Sequence, residues 1–595
     1  MDRTFAVAIG GAAGQGVATP GDIFAKLFAR RGLHVNAYNA YQSIIRGGHT
    51  FLTIRTGIEN VRCFGDHIDL LIPLNQDSID RHLNLMKAGS AVVYNSDIIK
   101  PIGPCEGVQL CPLPVSQLSK GSRSKVEQNT FALAASLKLM GLDFEPLAEI
   151  LTEQFMRKGG KVVTDNLDIA RAGYEYAAEN FQPFVHPLPK TDTQYAVLSG
   201  NIALAMGGAA AGVKFYCAYP MSPSTGVLHW MAGHAREAGI IVRQVEDEIG
   251  VINMAIGAAH AGVRAMCATS GGGFALMSEG IGMSAMMETP VVVIDVQRAG
   301  PSTGVPTKTE QGDLWQMLGA GFGDFPRLIA APTDILDCFK LVPEMHNLAD
   351  RFQCPGIILS DLLLSEGRSS IDPRELNFVT EIDRGEMIVA GDPNTADQIY
   401  NRYQITESGI SPRAIPGVPG HMHTASTDEH DENGVLISDE FTNPLKRRAM
   451  MEKRQRKVAG IESAVQPPVL LGETGATVTL IGWGSTDGVI REAAEILNQE
   501  GISTNHLQIR WLVPLHGEAI MRVLKSSKYS IIVENNYSGQ FARYLRSETS
   551  YVPNGYIRKY DGEPFMPHHI VDAVKEQLAS KTHTRHSVPM HEIRV

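Results

Sequence analysis

The chain has 595 residues, too many for one hydrophobic core, and at roughly 150 residues per domain it should fold as three or four. Its 53 Lys and Arg against 64 Asp and Glu leave a net charge of −11, spread without a basic tail or stripe, which argues against nucleic acid as a partner. The start, "MDRTFAVAIGGAAGQG", is too glycine-broken for a secretory signal, and no apolar run reaches the roughly 18 residues a bilayer requires, so a cytoplasmic protein without membrane attachment is expected.

The first segment opens with a strand, Phe5 to Gly10, a glycine-rich turn and the amphipathic helix "PGDIFAKLFARRG", the start of a βαβ unit. The turn carries Gly10, Gly11, Gly14 and Gly16 around Gln15, the arrangement in which backbone amides and a helix N-terminus face an anion. A tight turn with close helix packing accounts for the same glycines. A second glycine turn, "SIIRGGHTF", offers Arg46 beside Gly47 and Gly48, and the two together suit a phosphorylated ligand. The proline-containing "FQPFVHPLPKTDTQ" then reads as a linker that closes a first domain at residues 1–185.

From 195 to 370, "KFYCAYP", "GIIVRQVEDE", "VRAMCATSGG", "PVVVIDVQR" and "CPGIILSDLLL" are continuous apolar runs separated by small-residue helices, the pattern of a parallel sheet covered on both faces. Three of these runs end in unusual chemistry. "YPMSPST" is a rigid, hydroxyl-lined turn at the carboxyl end of a strand, where open α/β sheets place their ligands. Glu246, Asp247 and Glu248 open a helix so rich in Gly and Ala that other backbones must approach it closely. A carboxylate there can simply complement the helix dipole. A buried Glu hydrogen-bonded to a heterocycle nitrogen is the other reading. Arg298 stands at the tip of "PVVVIDVQR" before a loop of Gly, Pro, Ser and Thr, where it can take a carboxylate with two parallel hydrogen bonds or pair with a nearby acid.

Residues 371–465 lose this pattern and read as an irregular excursion ending in a connecting helix, "NPLKRRAMMEKRQRKV". Its "HMHTASTDEHDENG" gathers His421, His423 and His430, but no preceding strand or helix would fix them as metal ligands, so a solvated loop or interface segment is expected. "ATVTLIGWGST", "GISTNHLQIRWLVPL" and "YSIIVENNYSGQ" are strands of a last α/β domain, 466–595. The seven cysteines are scattered with no C-x-x-C spacing, and even the nearest pair, Cys105 and Cys111, reads as ordinary thiols. If electrons move in the reaction, the iron–sulfur cluster sits on another chain.

These motifs resemble the 2-oxoacid:ferredoxin oxidoreductases, a thiamine-diphosphate family. "YPMSPST" is similar to the family's YPITPST turn and "GNIALAMGGAAAG" to its GNEAIAxGAxxAG approach, while "EDEIGVINMAIGAAHAG" and "QRAGPSTGVPTKTEQGDL" match almost residue for residue. "GAAGQG" and "IRGGHTF" resemble the gamma domain that two-subunit members fuse ahead of the alpha domain. The resemblance implies an α/β protein of three doubly wound domains: a gamma domain, a thiamine pyrimidine-binding domain and a transketolase C-terminal-like domain.

It further implies that Glu248 bonds N1′ of the thiamine aminopyrimidine, with Glu246 the poorer candidate. Ser222 and Thr225 would meet the 2-oxoacid, Arg298 its carboxylate, and Tyr219 and Pro220 the cofactor. Gly14, Gln15, Gly16 and Arg46 would lie toward coenzyme A. Two positions depart from the family: Met221 and Ser222 replace Ile-Thr, and Ile202 stands in place of Glu. The resemblance implies a beta partner that carries Mg2+, a [4Fe–4S] cluster and the diphosphate half of the site, in a dimer of heterodimers that reduces ferredoxin. A gamma–alpha fusion without ferredoxin-like cysteines is similar to 2-oxoglutarate enzymes, with pyruvate or a broad 2-oxoacid range the alternative. A non-catalytic coenzyme A-binding scaffold is the reading from another class. A Rossmann dehydrogenase fits poorly, because Asn36 and Asn39 occupy the strand that should end in an acid.

Overall fold

The computed structural model describes residues 4–590 except 43–46, 104, 119–124, 186–187, 390–398, 438–442 and 581–585, with only the backbone of 125–128. Three sheets with helices on their faces make a mixed α/β architecture. In the first, Phe5–Ala13 and His34–Ala40 flank the intervening helix Ala18–Arg30 in sequence, as a βαβ unit should. The strand Gly47–Gly57 inserts between them, antiparallel to both, so this sheet is mixed. Ile68–Pro73, Met86–Asn95 and Gln109–Leu113 continue it in parallel. Its other edge is built by distant chain: Arg368–Ile371 pairs with His34–Ala40, and Ala196–Ser199 pairs with Arg368–Ile371. Both added strands are four residues long and mostly half-buried, so they carry no apolar run that would announce them.

The second sheet is the one the continuous apolar runs predict. Its order is Trp511–Val513, Leu328–Ala330, Gly356–Asp361, Val292–Gln297, Arg264–Thr269, Val213–Ala218 and Ile241–Gln244, parallel except for the first, which enters antiparallel from the last domain. The three strands Arg264–Thr269, Val292–Gln297 and Gly356–Asp361 are buried at every residue. Alternate side chains go to two cores: Met266, Ala268 and Ile294 pack on one face, Ala265, Cys267 and Val293 on the other. The third sheet holds Val469–Leu471, Thr504–Ile509, Val478–Trp483, Tyr529–Glu534, Gly555–Arg558 and His586–Ser587.

Polar side chains lock the three sheets together where the strands of the second one end. Glu563 accepts a hydrogen bond from Tyr38 Oη at 2.6 Å and pairs with Lys308, joining one residue from each region. Gln311 is gripped by the last domain: its Oε1 accepts from Asn535 N–H at 3.0 Å and its Nε2 donates to Trp483 O at 2.8 Å. The connecting helix Pro444–Ala464 turns Lys453 and Lys457 inward onto Glu288, all three side chains at 0–1 % exposure. No described helix is long and apolar enough to cross a membrane.

Candidate active site

The carboxyl ends of the second sheet's strands gather the motifs singled out from sequence. The strand Val213–Ala218 runs into the turn 219–224 and then the helix Thr225–Ala238. Tyr219 is half-buried against one core, Pro220 and Ser222 are exposed, and Thr225 starts the helix. The turn is braced from inside. Ser224 Oγ donates to Met221 O at 2.8 Å, and Asn201 Nδ2 donates to Pro223 O at 2.8 Å. Asn201 lies against Gly226, where an added Cβ would come within 2.8 Å of it, so the helix can seat only with glycine there.

Arg298 reaches this turn from the next strand but one: its Nη1 donates to Ser222 O at 2.7 Å. Burial lowers its proton affinity, and Asp313, Tyr41 and Asp295 oppose that in this order. Tyr41 comes from the first domain, so that domain contributes to the rim. Ser222 and Arg298 are therefore adjacent, while Thr225 sits one helical turn further on. The Asn201 amide also donates to Glu366 Oε1 at 3.0 Å, and burial raises the Glu366 carboxyl to about 7. Neither Asn201 nor Glu366 is a sequence candidate: the former sits inside "GNIAL" and the latter just past the apolar run "CPGIILSDLLL", in "SEGRSS", which reads as an ordinary polar strand end.

Glu248 begins the helix Glu248–His260, capped by Asp247, whose side chain accepts from Gly250 N–H at 3.1 Å. The three acids divide cleanly: Glu246 and Asp247 are exposed, Glu248 is 3 % exposed. Its Oε1 is buried without a hydrogen-bond partner among the described residues. It lies on the first turn of the helix Gly271–Met286, where a Cβ at Gly273 would come 2.5 Å from Oε1 and 2.1 Å from Thr269 Oγ1. A buried carboxyl oxygen needs a donor, and a glycine-cleared cradle beside one leaves room for it. Both features fit a heterocycle nitrogen of a thiamine-type cofactor.

At the first domain, Gly14 and Gly16 take positive φ of 88° and 83°, which glycine adopts without strain. Asn129 Nδ2 ties the turn by donating to Gln15 O at 2.8 Å. The Gln15 side chain is occupied internally, its Oε1 accepting from Ala12 N–H at 2.7 Å and Asn75 Nδ2 at 3.0 Å. On the same sheet edge His49 feels the charge of Lys308, in the loop that follows Arg298, though burial is the larger cause of its lowered pKa. Arg46 lies outside the described residues.

The histidine segment departs from the expected solvated loop. His430 is fully buried with its ring 3.9 Å from that of Tyr403, and His421, 7 % exposed, packs 5.0 Å from Tyr400. Each Nδ1 is held by a nearby carbonyl, at 2.8 Å in both cases. Aromatic packing, not solvation, decides their place. Among the described residues no group of three or more His, Cys, Asp or Glu could hold a metal ion, and all seven cysteines are free thiols.

Comparison with known proteins covers nearly the whole chain. Residues 206–447 match the thiamine-diphosphate-binding model of pyruvate flavodoxin/ferredoxin oxidoreductases, 6–176 the pyruvate ferredoxin/flavodoxin oxidoreductase model, and 469–573 the transketolase C-terminal domain. The alpha subunit of 2-oxoacid:ferredoxin oxidoreductase from Saccharolobus solfataricus is 32% identical over 95% of this chain and 96% of its own. The 2-oxoglutarate oxidoreductase subunit KorA of Mycobacterium tuberculosis is 30% identical over 96% and 91%. The structure of 2-oxoglutarate:ferredoxin oxidoreductase from Magnetococcus marinus, with 2-oxoglutarate, coenzyme A and succinyl-CoA bound, superposes with a TM-score of 0.90 and 33% identity over 97% of this chain and 100% of that one.

Proposed function

The chain belongs to the 2-oxoacid:ferredoxin oxidoreductases, as an alpha subunit, and we propose that within that family its reaction is the oxidative decarboxylation of 2-oxoglutarate to succinyl-CoA and its reverse. Two findings support this choice of substrate: the similarity to the Magnetococcus marinus enzyme, and that to the KorA subunit. The Saccharolobus relative, named for 2-oxoacids in general, supports a broader range including pyruvate.

The observation that carries the chemistry is Glu248 Oε1, buried and without a donor against Gly273. In this reading Glu248 holds N1′ of the thiamine pyrimidine and governs the proton there. Thiamine diphosphate, when bound, supplies the carbon nucleophile and the electron sink. Ser222 Oγ meets the 2-oxo group, Thr225 lines the turn beneath it, and Arg298 takes the carboxylate that leaves as carbon dioxide. Tyr219 and Pro220 form the wall on the cofactor. The turn Gly14–Gln15–Gly16 presents backbone amides to coenzyme A, and Arg46 belongs to the same side.

The balance requires that the bond to the carboxylate carbon breaks, two electrons leave, and the acyl carbon bonds to the coenzyme A sulfur with loss of its proton. This chain's scattered thiols offer no cluster for those electrons, so a beta partner with a [4Fe–4S] cluster, Mg2+ and the diphosphate site passes them to ferredoxin. Exposed apolar residues on the helices around Glu248 support such a partner: Ile249, Met254 and Leu276 are 51%, 41% and 51% exposed.

An anaerobic assay of the chain co-expressed with its beta subunit tests both levels. Viologen reduction with coenzyme A and 2-oxoglutarate, but not pyruvate, is the expected result; reduction with pyruvate alone overturns the substrate. Glu248→Gln should lower kcat by about 10²–10⁴, the range for a lost positioned acid–base group, with the complex still assembled. Activity near that of the wild type would remove Glu248 from the chemistry.

A further inference from the structure

Behind Arg298 lies a second pair of acids that the reaction as described does not use. Asp295 is three residues before it on the strand Val292–Gln297, at 0% exposure, and neither of its carboxyl oxygens has a hydrogen-bond donor among the described residues. The carboxyl of Asp313 stands beside it: Asp295 pairs in register with Thr269, Asp313 packs on Gly271 just beyond, and the Asp313 charge adds to burial in raising the Asp295 carboxyl. Two carboxylates cannot bond to each other, since both only accept; one of them must carry a proton. Asp313 is itself held in place. Its N–H donates to Gln297 Oε1 at 3.1 Å, and its carboxyl rests on the first residue of the helix Gly271–Met286, where a Cβ at Gly271 would come 2.5 Å from Oδ2.

Arg298 forms no ion pair with a described carboxylate, and its guanidinium donates to the Ser222 carbonyl. Of the acids whose charge reaches it, Asp313 acts most strongly. We propose that Asp295 and Asp313 are positioning residues that tune Arg298: Asp295 keeps a proton and donates it to Asp313, so that one negative charge, not two, stands behind the guanidinium. Two charges would draw Arg298 into an ion pair. One leaves it free for the substrate's carboxylate while weakening its pull. The inference rests on the reading of Arg298 as the carboxylate-binding group.

The other charged or titratable groups facing this pair are Glu310 from the following loop, which feels Asp313, and Tyr41 from the first domain, which feels Arg298 and Glu366. Burial raises Asp313 to about 6, against the lowering effects of the Asp295 hydrogen bond and the Arg298 charge. Below that pH the pair is neutral and Arg298 should hold the anionic substrate more tightly.

The test is the pH profile of KM and kcat for 2-oxoglutarate in the assembled enzyme. In the wild type KM should fall as pH is lowered through about 6 without a matching change in kcat. Asp313→Asn should show the low KM at every pH from 5 to 8, a drop of about fivefold at pH 8, the size of one partly screened charge. A KM that keeps the wild-type pH dependence, or that rises together with a loss of kcat, overturns the pair. If Asp313→Asn does not assemble, Asp295 decides. Asp295→Ala removes the donor and should move the inflection upward, and Asp295→Asn, which keeps an N–H donor, should leave it in place; no shift in the alanine variant overturns the inference. Arg298→Ala separates the two levels. If KM is unchanged there, the reading of Arg298 fails and the pair's role with it; if KM rises there but not one of the acid variants moves the profile, only the pair falls.

Discussion

Gly273→Ala is the sharpest probe of how the proposed site holds its glutamate. A methyl at that position would sit 2.1 Å from Thr269 Oγ1, 2.5 Å from Glu248 Oε1 and 3.0 Å from Glu248 Cγ. A carbon–oxygen contact needs about 3.2 Å, so the carboxyl must yield by roughly 0.7 Å and Thr269 or the helix by roughly 1 Å, in a core packed as densely as a crystal. A misplacement of about 1 Å at a reacting group can cost about 10²-fold, and that is the expected loss in kcat. Stability should change less: overpacking costs about 1–3 kcal/mol, while alanine recovers about 1 kcal/mol of helix propensity over glycine. The control is the preceding residue. A Cβ on Gly272 would meet only Ser302 O, at 4.0 Å, so Gly272→Ala should keep wild-type kcat. Steady-state viologen reduction and thermal unfolding of both variants, in the assembled enzyme, give the comparison. If Gly273→Ala keeps its kcat within about threefold of Gly272→Ala, Glu248 is not held by that cradle and the argument from geometry fails.

Ser222→Ala removes the only hydroxyl at the exposed tip of its turn and should raise KM for the 2-oxoacid by about tenfold, one hydrogen bond's worth; an unchanged KM would take Ser222 off the substrate. Glu288→Gln leaves Lys453 and Lys457, both at 0–1% exposure, without their counter-charge, and should cost about 3–5 kcal/mol, seen as an earlier denaturant midpoint; a loss below about 1 kcal/mol would mean the lysines find other partners. Glu366 is a carboxyl raised to about 7 by burial, against the lowering hydrogen bond from Asn201. The folded state therefore binds its proton in the window from the unfolded value near 4.3 up to about 7, and the wild type loses stability as pH rises through it. Glu366→Gln lacks that loss, so urea midpoints should favour the variant more at pH 8 than at pH 5; equal differences at both pH values would refute the buried carboxyl.

Much of this protein is legible one residue after another. The runs "VRAMCATSGG" and "PVVVIDVQR" name buried parallel strands because both faces are covered and nearly all their central side chains are apolar, with polar residues kept to the ends and to Asp295. The turns after them carry their chemistry in residue type: a hydroxyl at Ser222, a guanidinium at Arg298, a carboxyl at Glu248. Separating Glu248 from its neighbours was already harder. Glu246, Asp247 and Glu248 look alike in sequence, and only the approach of Gly273 from a different helix sets one of them at 3% exposure and leaves the others in solvent.

What the order of residues could not contain is which distant groups meet. The strands Ala196–Ser199 and Arg368–Ile371 complete a sheet that begins at Phe5, and Glu563 joins Tyr38 to Lys308 across three regions of the chain. Asn201 braces Pro223 and meets Glu366, and Asp313 lies on Gly271 beside Asp295. Local propensity and periodicity act over a few residues, and so the sequence by itself determined the long apolar elements, the fold class and the chemical types at the strand ends, but not the short half-buried edge strands. Burial, the absence of a donor and the sharing of a proton are properties of a neighbourhood, and a neighbourhood exists only once packing has brought together side chains far apart along the chain.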